Sequence, residues 1–311
     1  MIVEQRLHQT TEIAEAFPEA TCMISSIAFF EVILNNCNAK EIFTLVTNLF
    51  YVYDRLIDLH KCHKVASIKD AYFVVAGIKD KSDHASRILN LAIGFLHESK
   101  QIIIPQINMP VVLRIAIHTG PVVAGLVGKT TVRYTIVGEG FDFANQLIQL
   151  EEIPGQIILT SATRNCVKKS EKDSFVFINN GYKQVRKNQA TCTFRLEKNQ
   201  KKSVWDIIGR EPDPLKSVDG YKELFENDLN KWLDLERDLQ RQLVVIALMR
   251  NKPIPSSTVA YKRLRWAQLS RNKRSFKSGD SGDLKGSRDS GVSLASSNSS
   301  IRTKSSLCEI M

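Results

Sequence analysis

Apolar residues recur every three or four positions in several stretches of the chain, a spacing that places them on one face of an α-helix. The spacing predicts helices over residues 39–60, 83–99, 141–150, 162–167 and 218–250. Asp83 is the expected N-cap of the second helix, because a short carboxylate side chain can bond the free backbone N–H groups there. The last helix carries many charges between its apolar positions, which is typical of a docking or coiled-coil helix.

Short apolar runs bounded by glycine, proline and polar residues lie between these helices, as is typical of buried strands. They predict strands over residues 20–25, 64–68, 71–76, 111–117, 133–137, 156–160, 174–178 and 191–196. Gly120 and Pro121 predict a turn after the fourth strand. Because strands alternate with helices, we expect an α/β or α+β sandwich with helices packed on a mixed sheet.

The composition divides the chain into four segments. Residues 1–17 are expected to form a helical lead-in, residues 18–198 the sandwich, and residues 199–250 a helical extension. From residue 251 the chain is first basic and then rich in Ser, Gly and Asp. Because such a segment lacks the apolar residues for a core, residues 251–311 are predicted to be a disordered tail.

The composition indicates a cytoplasmic globular protein. Hydrophobic residues make up 43% of the 311 positions, and no apolar run approaches the roughly 20 residues of a membrane span. The first residues are polar and charged, unlike a secretory signal peptide. The six cysteines show no metal-ligand spacing, which favours reduced thiols. The net charge of +10 is concentrated near the C-terminus, so the tail would attract an anionic membrane surface, and no specific nucleic acid is expected.

Three motifs in the sandwich region carry a family resemblance. They are DAYFVVAG at residues 70–77, LRIAIHTGPVVAGLVG at 113–128 and RYTIVG at 133–138. Together they closely resemble the catalytic domain of class III nucleotidyl cyclases, with the guanylate cyclase branch nearest. The resemblance implies an α+β class III sandwich over residues 18–198. It also implies a dimer whose active site, between two chains, closes GTP or ATP into a cyclic nucleotide. His118 falls at a position that resembles structural packing in the family.

The resemblance assigns positions for metal and phosphate. Of the two aspartates that bind Mg²⁺ or Mn²⁺ in the family, the first aligns with Ser26 and the second with Asp70. Because a neutral hydroxyl is a poor magnesium ligand, we expect metal binding to be weak at best. Lys69 stands where the family has glycine. A triphosphate-binding lysine corresponds to Arg186 or Lys187, and the sequence does not choose between them.

The other aligned positions are substituted. The two base-reading positions align with Ala66 and Thr135, and a transition-state asparagine and arginine align with Asp142 and Gln146. Alanine cannot hydrogen-bond a purine. Loss of a transition-state arginine in phosphoryl transfer typically costs about 10³ to 10⁵ in rate. Asp70 is thus the single retained residue of the six.

The substitutions predict a catalytically impaired pseudo-cyclase in intracellular cyclic-nucleotide signalling. It would act by forming a homodimer or a heterodimer with another cyclase-type chain, or by regulating one. Two alternatives stay open. The first is an active guanylate cyclase that makes cyclic GMP and pyrophosphate with Asp70 and substitutes such as Glu139. The second is a membrane-tethered scaffold, because CEIM at residues 308–311 fits the prenylation pattern with Cys308 as acceptor, and the basic tail would be the second, peripheral membrane signal.

Overall fold

The computed structural model describes residues 14–128, 133–150, 154–167, 174–186 and 189–249, without the side chains of 186, 189, 247 and 248. Its strands are β1 (Ala14–Ile27), β2 (His63–Ile68), β3 (Ala71–Ala76), β4 (Ile103–Ile104), β5 (Met109–Pro110), β6 (Leu113–Val127), β7 (Arg133–Val137), β8 (Ile157–Thr160), β9 (Phe175–Arg186) and β10 (Gln189–Asn199).

Eight of these strands form one mixed sheet in the order β2-β3-β1-β6-β8-β10-β9, with β7 also paired to β6. The pair β6 and β8 is parallel, and the other pairs of this sheet are antiparallel. β4 and β5 form a separate small hairpin. The mixed sheet with packed helices confirms the predicted class III sandwich.

The helices are α1 (Phe30–Asn36), α2 (Ala39–Leu59), α3 (His84–Ser99), α4 (Glu139–Gln149), α5 (Ser161–Cys166), α6 (Val204–Ile208), α7 (Tyr221–Leu224) and α8 (Leu229–Met249). α2 begins with a capping box, in which the Asn38 side chain accepts from the Glu41 N–H and the Glu41 carboxylate accepts from the Asn38 N–H. None of the described helices is long and apolar enough to span a bilayer.

The core has two layers, one on each face of the sheet, because successive side chains of a strand point to opposite faces. Met23 of β1 belongs to a large cluster with α2 and α3, whereas its neighbours Cys22 and Ile24 belong to a second cluster with α4. The second layer includes Phe143 and Leu147 of α4. This arrangement explains the periodic apolar faces of the helices.

The β1/β6 ladder differs from the prediction at both of its prolines. β1 begins at Ala14, so the helical lead-in predicted for residues 1–17 is wrong for 14–17, while residues 1–13 lie outside the described chain. The register shifts around Pro18, and Pro121 lies opposite in β6. Proline cannot donate to a ladder and is tolerated at such an irregularity. β6 therefore continues to Val127, and the turn predicted at Gly120 and Pro121 is wrong.

Asp83 does not act as the predicted cap. It occupies the N-cap position of α3, but its φ of 48° is left-handed and its side chain makes no capping hydrogen bond. Capping by a side chain requires an extended backbone at this position, which this turn does not provide.

The residues after the sheet pack on the outer side of α2 and α3. Trp205 and Ile208 of α6 belong to the large core cluster. The Glu98 carboxylate, only 2% exposed, is held by Arg55 at 3.1 Å and by Arg210 at 3.2 Å. A second Arg55 nitrogen donates to the Ile208 carbonyl at 2.9 Å. The predicted helix over 218–250 is observed as α7 and α8 with a break between them.

Candidate functional site

The positions aligned with the metal aspartates lie in one cavity of about 310 Å³. Its walls include Ser26, Asp70 and Arg114 together with Glu236, Leu239 and Gln240 of α8; we call it the aspartate pocket. Strand pairing explains why these residues meet. Ser26 of β1 is opposite Ala71, which directly follows Asp70, and on its other side it is opposite Arg114 of β6.

Asp70 lies in the two-residue turn between β2 and β3 and is half-buried. Burial raises the pKa of this carboxyl above its usual range. Hydrogen bonds from the backbone N–H groups of Asp70 and Ile27, and the positive charges of Lys69 and Arg114, oppose the rise. The carboxylate is therefore already engaged by donors and cations of its own chain.

Lys69 occupies a strained backbone position in the same turn. Its φ of 55° is in the left-handed region, which costs a side chain with a Cβ roughly 1 kcal/mol or more. Glycine avoids this cost. The turn thus keeps the geometry that suits the glycine of the family, but with a cation next to Asp70.

The pocket does not fit a resident divalent cation. Magnesium takes about six oxygen ligands in octahedral geometry and uses carboxylates from proteins. At the aligned positions the pocket offers the Asp70 carboxylate and the neutral hydroxyl of Ser26, with the Arg114 guanidinium beside them, and Glu31 and Glu236 line other parts of the cavity. Among the described residues, no three His, Cys, Asp or Glu side chains come together in a way that could hold a metal ion.

Arg114 and the α8 residues of the pocket were missed by the sequence reasoning. The Arg114 guanidinium lies 5.9 Å from the centre of the Phe29 ring, and its buried Nε finds no hydrogen-bond partner within the described residues. A single charge inside the apolar strand LRIAIHTG was the signal that could have found it. Nothing local in α8 indicates which surface the helix covers.

The base-reading positions lie elsewhere, on a largely open surface. Thr135 of β7 is paired with Gly125 of β6, and Val137 with Val123. Because side chains alternate along strands, Thr135 shares one sheet face with Val123, Val127 and Val137, which are 40%, 59% and 57% exposed. We call these four residues the valine face. β2, the strand of the half-buried Ala66, approaches β7 to within 8 Å between Cα atoms.

The transition-state positions are on α4. Asp142 is exposed and Gln146 half-buried. They are four residues apart and so lie one above the other on the helix, beside the side on which Phe143 and Leu147 are buried in the second core layer. Glu139, the candidate substitute, is exposed in the first turn of α4. The structure therefore brings Ser26 and Asp70 together, and it places Asp142 and Gln146 on a separate element.

The remaining candidates are a packing residue and residues outside the described part. His118 is buried, with its Nδ1 2.9 Å from the Thr160 hydroxyl and its ring stacked on Phe143 at 4.2 Å. This confirms the packing role expected for it. Arg186 ends β9, but its side chain, Lys187 and Cys308 lie outside the description, so their assignments stay predictions.

Comparison with known proteins identifies the family. The model of the adenylate and guanylate cyclase catalytic domain matches residues 12–198. The soluble guanylate cyclase gcy-37 of Caenorhabditis elegans is 35% identical over 300 residues, which cover 96% of this chain and 40% of the relative. The chain therefore spans less than half the length of that relative.

Solved structures show the same fold. The guanylate cyclase domain of RhGC from Catenaria anguillulae, in complex with GTP, is 24% identical with a TM-score of 0.55, over 60% of this chain and 99% of that one. A dimeric guanylyl cyclase domain of the RhoGC fusion protein from Blastocladiella emersonii gives a TM-score of 0.54 at 24% identity, over 60% and 99%. With the family model and the identity to gcy-37, these matches show that the chain belongs to the class III adenylate and guanylate cyclase catalytic domain family, in its guanylate branch.

Proposed function

We propose that this chain is a guanylate-cyclase-like protein of cyclic-nucleotide signalling with impaired catalysis of its own, which works by pairing with a cyclase-type chain. The observation that carries the proposal is the aspartate pocket, where the two residues aligned with metal-binding aspartates are a carboxylate, Asp70, and a hydroxyl, Ser26, with the Arg114 guanidinium beside them. Cyclisation of GTP or ATP needs strong stabilisation of the charge that develops on the phosphates. The donors of this pocket are poorly suited to hold the metal ions that provide it.

The second half of the site supports the same proposal. Phosphoryl transfer gains from a cation near the transferred group, and the aligned position is Gln146, a neutral amide. Asp142, an exposed anion one helical turn away, would repel a triphosphate rather than orient it. A partner chain with an intact metal half would still meet these two residues.

The valine face supports pairing. Val127 and Val137 leave more than half of their surface exposed on one side of the sheet, together with Val123. Clustered apolar exposure of this kind marks interaction surfaces. The family resemblance implies an active site between two chains, and a guanylyl cyclase domain from Blastocladiella emersonii has been solved as a non-canonical dimer. A second cyclase-type chain, identical or different, is the proposed partner.

The test is a cyclase assay on the purified full chain with GTP or ATP and excess Mn²⁺ or Mg²⁺. We expect no cyclic nucleotide above a blank, and no further change in Asp70→Ala. A matched variant, Ser26→Asp, restores the second carboxylate and is expected to gain a Mn²⁺-dependent rise in melting temperature that the unaltered protein lacks. Clear cyclic GMP formation that Asp70→Ala abolishes would instead favour the alternative of an active guanylate cyclase.

Membrane attachment through Cys308 stays a prediction beside this proposal. The motif lies outside the described residues, so only its sequence supports it. Because one lipid chain gives marginal binding, the basic tail would have to contribute a second signal. Equal membrane partition of the Cys308→Ser variant and the unaltered protein in cells would remove this alternative.

A further inference from the structure

Helix α8 forms one wall of the aspartate pocket. Its residues Glu236, Leu239 and Gln240 line the same cavity as Ser26 and Asp70. These helix positions are 30 or more residues beyond the end of the match to the family model at residue 198. A segment outside the catalytic domain thus covers the position where the family binds metal and phosphate.

A tryptophan anchors α8 to the loop that follows Ser26. Trp232 is 1% exposed, and its ring stacks on Phe29 with centroids 5.2 Å apart and planes 5° from parallel. Phe29 lies three residues after Ser26, and on the same ring rests the Arg114 guanidinium described above. The Phe29 ring therefore lies between the anchor Trp232 and the pocket cation Arg114, three residues from the aligned metal position.

The remainder of α8 shows how it is held. Trp232, Leu235, Leu239 and Leu243 form one apolar stripe that packs against the core cluster. The opposite side is charged, with exposed ion pairs of Arg237 with Asp234 at 2.7 Å and of Arg241 with Asp238 at 2.9 Å. One stripe of side chains thus holds the helix on the domain. A helix held in this way can detach locally while the rest of the domain stays folded.

From this geometry we propose that α8 is an autoinhibitory cap. While α8 is docked, a polyphosphate cannot reach Asp70 and Arg114 without sharing the cavity with Glu236, whose negative charge disfavours it. When α8 lifts, the pocket opens to solvent. The inference rests on the proposed function, because it names the regulation of the same site.

The experiment measures access to the pocket rather than catalysis. Ser26→Cys places a thiol in the pocket wall, and the rate of its alkylation in the full chain is followed by site-resolved mass spectrometry. Cys22 is fully buried four residues earlier on the same strand and serves as an internal reporter of unfolding. Leu239→Ala and Trp232→Ala loosen the stripe, and Arg237→Ala, on the solvent side of α8, is the matched control.

We expect Leu239→Ala and Trp232→Ala to speed alkylation of Cys at position 26 by at least about tenfold over the Arg237→Ala control, with Cys22 still protected. This ratio would correspond to about 1.4 kcal/mol of cap opening. Inorganic tripolyphosphate should then slow the labelling in the loosened variants alone. Equal alkylation rates at position 26 in all variants would overturn the proposal that α8 is a cap.

Labelling of Cys22 together with position 26 would report unfolding, and in that case Leu239→Val, a smaller change, replaces the variant. If the labelling rate of position 26 in Leu239→Val equals that of the Arg237→Ala control, the proposal that α8 is a cap is wrong. Because the labelling needs no cyclase activity, its failure is distinct from a failure of the proposed function, which the cyclase assay alone decides.

Discussion

The aspartate pocket and the valine face hold residues that align with different parts of the family's active site, yet the two surfaces differ in what covers them. In the pocket, Asp70 is enclosed by the chain itself, with the Arg114 guanidinium on one side and α8 on another. On the valine face, Val127 and Val137 remain more than half exposed and lack such a covering element in the described chain. We call the aspartate pocket, which α8 covers, the closed half. We call the valine face, which keeps an exposed apolar surface, the open half.

The difference teaches how aligned site positions can be substituted while the architecture of the domain is kept. Ser26, Asp142 and Gln146 lie at strand ends or on helix surfaces, where substitution leaves the core untouched. Buried positions such as Met23 and Phe143 instead hold the two core layers together. Core packing constrains a sequence through volume and burial, whereas a functional surface constrains it through chemistry.

The largest change in the free energy of unfolding is expected from removing Trp232, the residue that anchors α8 over the closed half. Trp232→Ala should lower the free energy of unfolding by about 3–5 kcal/mol, because it empties a fully buried aromatic site. Urea denaturation measures the loss. Leu233→Ala, the next residue with a side chain 37% exposed, should cost less than about 1 kcal/mol. If the two variants cost the same, α8 is not held in the way described.

Acid should next loosen the packing of α6 against α2 and α3, which lies outside both surfaces. Burial, with the nearby charges of Lys216 and Arg210, lowers the pKa of His97 from 6.5 to about 4. Because the folded pKa lies below the unfolded one, this histidine favours folding above pH 6.5, and the contribution is lost between pH 6.5 and 4. The loss per histidine is at most about 3 kcal/mol.

His60 should act in the same direction. Its Nε2–H donates to the Ile207 carbonyl at 3.0 Å, yet burial lowers its pKa to about 4 as well. Urea unfolding at pH 7.5 and pH 5 measures how steeply the free energy of unfolding changes with pH. His97→Asn should make this dependence weaker. A slope that is unchanged in the variant would show that other groups dominate the acid response.

A charge on the open half should act on association alone. Val137→Asp is expected to raise the dissociation constant of the proposed dimer at least tenfold, or about 1.4 kcal/mol, because a charged group would be desolvated at the proposed interface. The stability of the monomer should change by less than about 0.5 kcal/mol at this exposed position. Sedimentation analysis compares it with Val218→Asp, an equally apolar residue that is 92% exposed. Equal dissociation constants in the two variants would show that the valine face is not the surface through which the chain pairs.

The smallest effect concerns the turn beside the pocket. Lys69→Gly should raise the free energy of unfolding by up to about 1 kcal/mol, because glycine accepts the left-handed backbone without strain. Lys81→Gly is the control, since Lys81 has no positive φ and glycine gains nothing there. Thermal denaturation at matched pH resolves the pair. A loss of stability in Lys69→Gly would show that the lysine side chain contributes contacts that outweigh the strain.

The sequence was sufficient where local pattern and final structure agree. The strand predicted at residues 133–137 is observed as Arg133–Val137, and the helix predicted at 39–60 as Ala39–Leu59. In both, periodicity and end signals point to the same element. The sequence was insufficient where residues far away in the chain determine the local structure. Residues 14–17 form a strand because β6 extends far enough to pair with them.

The same distinction applies to the site. Alignment of short motifs placed Ser26 and Asp70, and strand register brings them together. The identity of the pocket wall depends on the docking of α8, which is set by the stacking of Trp232 on Phe29 about 200 residues earlier in the chain. Periodicity reveals that a helix has an apolar stripe, but not the surface that receives it.

The clamp on Glu98 has a consequence for how the protein can be divided. A fragment cut at residue 198, where the family match ends, would lack Arg210 and leave this nearly inaccessible carboxylate with one of its two cations. It would also strip Trp205 and Ile208 from the large core cluster and uncover apolar side chains of α2 and α3. The smallest autonomous folding unit therefore extends beyond the residues that the family model matches, and fragments for crystallisation or NMR should retain the chain to Met249.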